Sequence, residues 1–439
     1  MTTRRDFIGA AALATGGVAA VAAKADAEVG SDDGCGKRVP PAPRNRCPYA
    51  GIDWANALQI KGTTHVHCTS QDDLDVILKR GIRFLTLSNY YPSAPWYPLA
   101  NMTRNYWRLH HDFPVVVHGK RTDGPFDWNA MVAQWAADLP ESQKAQYPFT
   151  EGEPLFKPLP EDVLEAPNAE HHAFLKADGK AERRMLGSGP GGSFFAKLHI
   201  NAPGSAFASG TFDQLNRFKT FSRGGCVHGS GEVWKVAIDR MMAGFIYPDG
   251  GGITVNHPTW TSLDREFMLE LLDYDPRVLG IEVIEGGGGN SERYWDFALS
   301  SGRQCFGFFV PDHSIRRKDG SFGVCVLVVP EFSVRACLKA YREGNFYGAK
   351  RGLDELRFTR IAFGGATVEA ETDRPARFEV ITAAGVVKTI AHGTSVVWTM
   401  EKESGYCGPR KDFHAFARIK AYALDGSGEV LFSQPNMLT

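Results

Sequence analysis

The sequence has no excess of charge of either sign. Its 49 lysines and arginines nearly balance its 50 aspartates and glutamates, which leaves a formal net charge of −1 over 439 residues. Proteins that bind nucleic acid or anionic lipid through long-range attraction carry a strong basic field, which this chain lacks. The composition therefore argues against a nucleic-acid partner. Apolar residues make up 43% and charged residues 23%, as in ordinary soluble globular proteins.

Several short motifs that would assign a chemistry are also missing. The eight cysteines form no C-x-x-C pair, so a zinc ribbon or a thioredoxin-like site is not expected. The chain has no G-x-x-x-x-G-K-[ST] phosphate loop and no G-x-S-x-G nucleophile elbow. Two glycine-rich stretches, 187–192 and 285–290, lack the strand–turn–helix context of a dinucleotide-binding site. These absences exclude a P-loop and argue against an α/β-hydrolase and a dinucleotide-binding site.

Residues 1–27 are predicted to be a twin-arginine signal peptide. Arg4-Arg5 precedes an apolar run over 8–23, and Ala25-Asp26-Ala27 fits an A-x-A cleavage site. The run is shorter than the roughly 20 residues of a membrane-spanning helix, although an uncut anchor is the alternative. We therefore expect the twin-arginine machinery to export a soluble periplasmic or secreted protein. An oxidising compartment permits disulfides, and Cys35 with Cys47 is the simplest pair to expect.

The rest of the chain divides into three predicted segments. Residues 28–57 are irregular, 58–354 form an α/β domain, and 355–439 form a small all-β domain. In the α/β domain, short apolar strands alternate with helices, which predicts parallel strands joined by crossover helices. A stretch at about 92–198, rich in Pro, Trp and polar residues, indicates a large insertion. After 355, apolar and polar residues alternate with the period of a strand.

Two helices have clear ends in the sequence. Ser70 precedes an amphipathic run that Gly81 ends, and Ser333 and Gly344 bound a second run in the same way. Serine is a favoured residue before the first helical turn, and glycine is favoured after the last. The pattern therefore predicts helices within 70–81 and 333–344.

Candidate metal ligands are spread along the α/β domain. His65 and His67 follow the first predicted strand, and residues two apart on a strand point to the same face. Two imidazoles placed in this way can hold one metal ion. Further candidates follow downstream: Glu170, His199, His257, Asp312 and His313. Each alone has an ordinary structural explanation, but their ordered recurrence near predicted strand ends indicates a single site.

This ordered set resembles the polymerase and histidinol phosphatase (PHP) superfamily of metal-dependent phosphoesterases over about residues 60–352. The resemblance implies a distorted PHP-type β/α barrel with a large insertion and a C-terminal β domain. It implies a hydrolase that cleaves phosphate esters with a metal-activated hydroxide, and the predicted signal peptide adds that this hydrolase is exported. Histidine and carboxylate ligands suit zinc, manganese or iron. Under this resemblance Glu170 bridges two divalent ions, and His199 or His313 protonates the leaving group.

The chain departs from the family pattern in two places. Where the family has a ligating histidine after the second strand, this sequence has Tyr90, whose phenol has a pKa of about 10 and is a poor ligand. Asp312 and His313 are adjacent, whereas the family separates them by one residue. Two metal ions are therefore expected rather than three. Asp72 or Asp73 fits either an early acidic ligand or the first turn of a helix.

A phosphate ester also needs cations and a surface to bind. The predicted substrate-binding residues are Tyr90, His118, Arg316, Arg317 and Arg351, with Lys120, Arg121 and Lys318 as further cations. The alternative for each cation is a solvated surface charge. Aromatic residues of the insertion fit either a sugar or nucleoside pocket or a small core of their own: Trp96, Tyr97, Trp107, Trp128 and Trp135. The expected substrate is a small-molecule or glycan-type phosphate ester.

Two other functions remain open from the sequence. Tyr90 and the altered Asp312-His313 spacing also fit a catalytically degenerate periplasmic protein that binds a ligand and keeps a structural metal. An amidohydrolase-like enzyme that cleaves a C–N bond also begins with H-x-H on a barrel strand, but the barrel lysine that it normally needs has no clear counterpart. The number of bound metals separates the first alternative from catalysis.

Overall fold

The computed structural model describes the following residues: 47–68, 70–88, 98–101, 153–173, 198–205, 234–286, 289–317, 322–352, 356–383, 386–400 and 415–438. The predicted signal peptide and Cys35 lie outside them. No helix in these ranges is both long and apolar enough to cross a bilayer.

The predicted helix ends are confirmed. Helix α1 is Gln71–Lys79, where the Ser70 hydroxyl accepts the N–H of Asp73. The remaining helices are α2 Trp234–Ala243, α3 Arg265–Tyr274, α4 Glu292–Ser300 and α5 Val334–Glu343, with a 3-10 turn at Leu99–Asn101. Ser333 caps α5 by accepting the N–H of Ala336. Gly344 ends α5 with a φ of 77°, a conformation that glycine adopts at little cost.

Sixteen strands are described. They are β1 Leu58–Thr63, β2 Phe84–Leu85, β3 Leu164–Glu165, β4 Glu170–Ala173, β5 Leu198–Asn201, β6 Ile253–Val255, β7 Val278–Ile284, β8 Phe306–Phe309, β9 Gly323–Val329, β10 Phe346–Lys350, β11 Phe358–Gly364, β12 Thr367–Thr382, β13 Val386–Thr399, β14 Ala415–Ala423, β15 Val430–Phe432 and β16 Asn436–Leu438. One sheet has the order β11-β12-β14-β15-β10-β9-β1-β2-β3, with β13 on β12 and β16 on β14. The second has the order β4-β5-β6-β7-β8.

The mixed α/β class is confirmed, and the predicted parallel pairing holds for part of it. β1, β2 and β3 pair in parallel, and so do β6, β7 and β8. β9 follows β8 along the chain and runs antiparallel to β1. Neither sheet closes on itself among the described strands, so the barrel stays a prediction.

Hydrogen bonds join the two sheets at the edge where β1 and β8 end. Beyond β1 and β8, Val66 and Asp312 form an isolated parallel bridge, in which the Asp312 N–H donates to the His65 carbonyl at 2.9 Å. On the other side, the Glu170 N–H donates to the Ser88 carbonyl at 3.4 Å. These links bring the predicted ligands of β1, β4 and β8 to one place.

Part of the predicted insertion contributes strands. β3 extends the first sheet beside β2, and β4 begins the second sheet, so residues 164–173 belong to the sheets. Asn168, between these strands, donates to the carbonyls of Thr64 and Thr86 at 2.9 Å each. Its side-chain oxygen accepts the Ala202 N–H at 2.9 Å. This buried carboxamide therefore fixes the start of β4 against two strands of the first sheet and the end of β5.

Two apolar cores lie on the two faces of β9. Its even-numbered residues from Val324 to Val328 belong to one core, and the odd-numbered residues from Cys325 to Val329 belong to the other. Successive side chains on a strand point to opposite faces, which explains this division. β9 is buried on both faces and stands between β1 and β10 at the centre of the sheet.

The C-terminal strands continue the first sheet, because β15 pairs with β10. Close to the end of the chain, the Gln434 side chain pairs with the backbone of β8. It accepts the Gly307 N–H at 2.8 Å and donates to the Gly307 carbonyl at 2.9 Å. The carboxamide thus replaces a neighbouring strand at the edge of the second sheet. The predicted boundary at 354/355 stays a prediction.

Candidate metal centre

His65 and His67 lie directly after β1, and both are buried. Their Nε2 atoms are 3.2 Å apart, so the two rings converge on one point. Val66 between them is fully buried in the apolar core. The alternation expected of an extended segment therefore places both imidazoles on the same side, as the H-x-H spacing predicts.

Four ligand-type atoms surround this point: Nε2 of His65, Nε2 of His67, Oε2 of Glu170 and Oδ1 of Asp312. Five separations among them lie between 3.2 and 3.5 Å. Ligand atoms placed about 2.1 Å from one cation in tetrahedral geometry are about 3.4 Å from each other. Each of the two carboxylate oxygens therefore lies at metal-ligand spacing from both imidazole nitrogens. We call these four atoms cluster A.

The tautomer of His65 also suits a cation. Its Nδ1 lies 2.7 Å from Oε1 of Glu282, and a carboxylate oxygen can only accept, so Nδ1 donates. In the neutral ring, Nε2 then has a lone pair that points toward the carboxylate oxygens of Glu170 and Asp312. Lone pairs that face each other repel unless a proton or a cation lies between them. The donor set thus fits a metal ion.

Glu170 connects cluster A to a second group, cluster B, which contains His199 and His257. Its Oε1 is 3.0 Å from Nδ1 of His199 and 3.3 Å from Nε2 of His257, while Oε2 belongs to cluster A. Asn256 donates to the same Oε1 at 3.4 Å. Nδ1 of His257 is buried and has no hydrogen-bond partner among the described residues. One carboxylate therefore faces imidazoles of both clusters, and His257 of cluster B also has metal-ligand spacing to His65 and Asp312 of cluster A.

Asp312 and His313 stand at the outer side of cluster A. Asp312 has a φ of 47°, in the left-handed region, and this turn aims its carboxylate at His65 and His67 despite the missing spacer residue. The His313 ring stacks on His67 with centroids 4.0 Å apart and is 67% exposed. Together with His67 and Asp312 it forms a third group with metal-ligand spacing. The adjacent Asp312-His313 pair thus brings both side chains to the centre.

The pKa values of the rings show where protons are held. Burial disfavours the charged ring of His65, but the carboxylates of Glu282, Asp312 and Glu170 outweigh it and raise its pKa well above the usual value. The pKa of His67 is raised in the same way, since Asp312 and Glu170 offset its burial. In turn, His65 and His67 hold the pKa of Asp312 well below its usual value, although burial of this carboxyl group acts in the opposite direction. Without cations, protons neutralise the centre.

The two residues predicted to protonate a leaving group are neutral at pH 7. The positive charge of His67, together with burial, lowers the pKa of His313 to about 4. Burial lowers the pKa of His199, although Glu170 opposes the shift. A neutral imidazole has a lone pair, which suits a ligand or a proton acceptor better than a proton donor. The geometry thus favours the ligand role for His199.

The predicted cations that the structure describes have contacts outside the two clusters. Arg316 is ion-paired with Asp73, Nη2 to Oδ1 at 2.6 Å, so Asp73 serves helix α1 and this pair. Arg317 is exposed, and its carbonyl accepts from Arg80. Arg351 has a φ of 75° and its side chain lies beside Gly428. Tyr90, His118, Lys120, Arg121, Lys318 and the named aromatic residues of the insertion lie outside the described residues.

The structure adds two residues that the sequence reasoning missed. Glu282 is fully buried in β7 and bonds both His65 and the backbone of His257. Its signal was an acidic residue inside an otherwise apolar strand, because a buried charge requires a partner. Trp260 is 63% exposed, and its ring lies 5.6 Å from that of His199 and 5.1 Å from that of His257. The exposed ring of Trp260 is therefore placed to contact a molecule that binds at cluster B.

Comparisons with known proteins give one distant likeness. No protein-family model matches the chain, and no curated protein matches it. Among solved structures, the chain is similar to a two-domain protein from Bacteroides vulgatus that contains a predicted PHP-like metal-dependent phosphoesterase. The identity is 12% and the TM-score 0.38, and the match covers 88% of this chain and 95% of that chain. This likeness is too distant to assign a fold or a function.

Proposed function

We propose that the chain is a hydrolase that cleaves phosphate esters at a centre of two divalent cations. The observation that carries this proposal is the position of Glu170, whose Oε2 faces cluster A and whose Oε1 faces cluster B. A carboxylate shared by two imidazole sets is the arrangement that holds two cations close enough to act on one substrate.

The donor set divides between the two positions. In this proposal His65, His67 and Asp312 would hold one cation, His199 and His257 the other, and Glu170 both. When bound, the cations supply a Lewis acid for the phosphoryl oxygens and lower the pKa of a water molecule. Zinc, manganese and iron all accept this mixture of nitrogen and oxygen donors.

The outer residues of the centre have separate roles in this proposal. His313 is exposed beside cluster A and stacks on His67, so its ring is placed to exchange a proton with a bound substrate or with water. Trp260 stands beside cluster B and contacts the alcohol part of the ester. Both side chains reach solvent, which allows a substrate to approach them.

The test combines metal analysis with hydrolysis assays. The purified protein and a His67→Ala variant are analysed for bound metals and assayed with phosphate monoesters, phosphodiesters and amides. A His392→Ala variant, with the same chemical change at an exposed position on β13, is the matched control. We expect about two cations per chain and ester hydrolysis, both lost in His67→Ala and kept in His392→Ala.

Other outcomes assign other functions. Metal without hydrolysis of any ester or amide would contradict catalysis and support a ligand-binding protein with structural metal. Cleavage of amides but not of phosphate esters would support the amidohydrolase alternative. Absence of bound metal after reconstitution with zinc, manganese or iron would refute the centre itself.

We also propose that the protein works outside the cytoplasm after twin-arginine export. The support is Arg4-Arg5, the apolar run and the Ala25–Ala27 site in the sequence. Fractionation of expressing cells, with Arg4-Arg5 replaced by Lys-Lys as the comparison, tests this. Retention of the wild-type chain in the cytoplasm at full length would contradict it.

A further inference from the structure

Glu282 stands behind both cation positions. It lies in the middle of β7, a strand that is buried along its whole length, and its side chain is fully buried. Its Oε1 accepts from Nδ1 of His65 at 2.7 Å, and its Oε2 accepts the backbone N–H of His257 at 2.8 Å. His65 belongs to cluster A and His257 to cluster B. A single buried carboxylate thus holds one member of each cluster.

The two bonds restrain different properties. The bond to His65 keeps the proton on Nδ1 and therefore leaves the lone pair of Nε2 directed at Glu170 and Asp312. The bond to His257 restrains its backbone, which has a φ of 25°, a region that residues with a side chain rarely adopt. This turn aims the His257 ring at Oε1 of Glu170. The first bond therefore fixes the tautomer of His65, and the second fixes the direction of the His257 ring.

We propose that Glu282 is a positioning residue that fixes the tautomer of His65 and the turn of His257, and so couples the two cation positions. This inference rests on the proposed two-cation centre. Glu170 connects the two clusters directly, because its two oxygens face ring nitrogens of both. Glu282 connects them from behind, through Nδ1 of His65 and the backbone N–H of His257. Loss of Glu282 therefore weakens both positions, although it contacts neither cation.

Replacement of Glu282 by glutamine tests this directly. Gln has the same shape but one oxygen and one NH2 group, so it can accept only one of the two hydrogen bonds. If the NH2 faces His65, that ring must accept at Nδ1 and carry its proton on Nε2, which blocks the ligand atom. If the NH2 faces His257, two N–H groups oppose each other. Loss of such an outer partner weakens metal binding by about 10–100-fold.

A matched control lies three residues further along. Glu285 is also buried and also accepts a backbone N–H, from Thr259 at 3.2 Å, as well as the hydroxyl of Ser291. It bonds no ring of either cluster among the described residues. We expect Glu285→Gln to change metal affinity by less than about threefold, whereas Glu282→Gln loses about 10–100-fold. Affinity is measured by competition with a chromophoric chelator, using zinc.

The tautomer of His65 gives a second readout that does not need the variant. In zinc-loaded wild-type protein, the nitrogen spectrum of the His65 ring must show a protonated Nδ1 and a metal-bound Nε2. A proton on Nε2, or unchanged zinc affinity in Glu282→Gln, would overturn the role of Glu282. If the wild type itself binds no zinc, manganese or iron, then the proposed function fails first. The two failures are therefore distinguishable even if Glu282→Gln does not fold.

Discussion

Replacement of Glu170 by glutamine is the sharpest test of a shared ligand. The carboxylate is almost fully buried, and four ring nitrogens lie 3.0–3.5 Å from its two oxygens. Glutamine fills the same volume, so no cavity forms. It has only one oxygen, however, and its NH2 group cannot bind a cation. Whichever way the amide turns, one cluster loses its carboxylate ligand and the other keeps a weaker, neutral one.

The magnitude follows from binding linkage. At a free metal concentration of 100 times Kd, each occupied site adds about 2.7 kcal/mol to the free energy of unfolding, so two independent sites add about 5.4 kcal/mol. Glu170→Gln retains one weakened site at most and loses at least half of this. For 439 residues that unfold as one unit, the unfolding entropy is about 2.1 cal/mol/K per residue, so about 2.7 kcal/mol corresponds to about 3 °C in Tm.

The assay compares Tm with and without excess zinc, together with the metal content after dialysis. We expect two cations and the full zinc-induced rise in Tm for the wild type. Glu170→Gln should retain no more than one cation and lose at least half of the rise, while Glu285→Gln should match the wild type. The reasoning is refuted if Glu170→Gln keeps two cations per chain with an unchanged rise in Tm.

Three further results are expected. Burial raises the pKa of Glu165 from 4.5 to about 7, so its contribution to stability is present below pH 4.5 and is lost as the pH rises through 7. From pH 5 to pH 8, the free energy of unfolding of Glu165→Gln should therefore rise relative to that of the wild type by up to about 3 kcal/mol. Urea unfolding of the two metal-free proteins measures it, and a variant–wild-type difference that is equal at both pH values would contradict the prediction. Since the pKa of His65 is raised well above its usual value, zinc must displace its proton. The apparent Kd should fall at least about tenfold per pH unit near neutrality, because the pKa of His67 is raised as well. A pH-independent Kd in chelator competition would show that no proton is released. Trp260→Ala should raise KM about fivefold for an aryl phosphate, from about 1 kcal/mol of ring contact, and leave that for methyl phosphate unchanged; equal effects on both esters would exclude a ring contact.

The local part of the site was accessible from the sequence. The H-x-H spacing alone places His65 and His67 on one side of an extended segment, and their Nε2 atoms do converge. Helix ends such as Ser70 and Gly344 were predictable for the same reason, since each depends on a few neighbouring residues. Geometry within a short stretch of backbone is set by that stretch.

The long-range part was not accessible. The role of Glu282 depends on a ring from β1 and a backbone N–H after β6, and no local pattern contains either partner. The return of β9 antiparallel to β1 depends on which sheet edge the preceding connection reaches. The left-handed φ of Asp312 compensates for the missing spacer residue, and residue type alone did not reveal it. Such features arise from tertiary contacts that override local preference.

The pairing of Gln434 with Gly307 has a consequence for the order of events during synthesis. The proposed ligands come from residues as far apart as His65 and His313, and among the described residues Gln434, near the end of the chain, bonds both backbone groups of Gly307 in the strand before Asp312. A ribosome therefore has to release almost the entire polypeptide before these two hydrogen bonds of β8 can form. Nascent chains arrested shortly before Gln434 should consequently be far more sensitive to protease around β8 than the released protein.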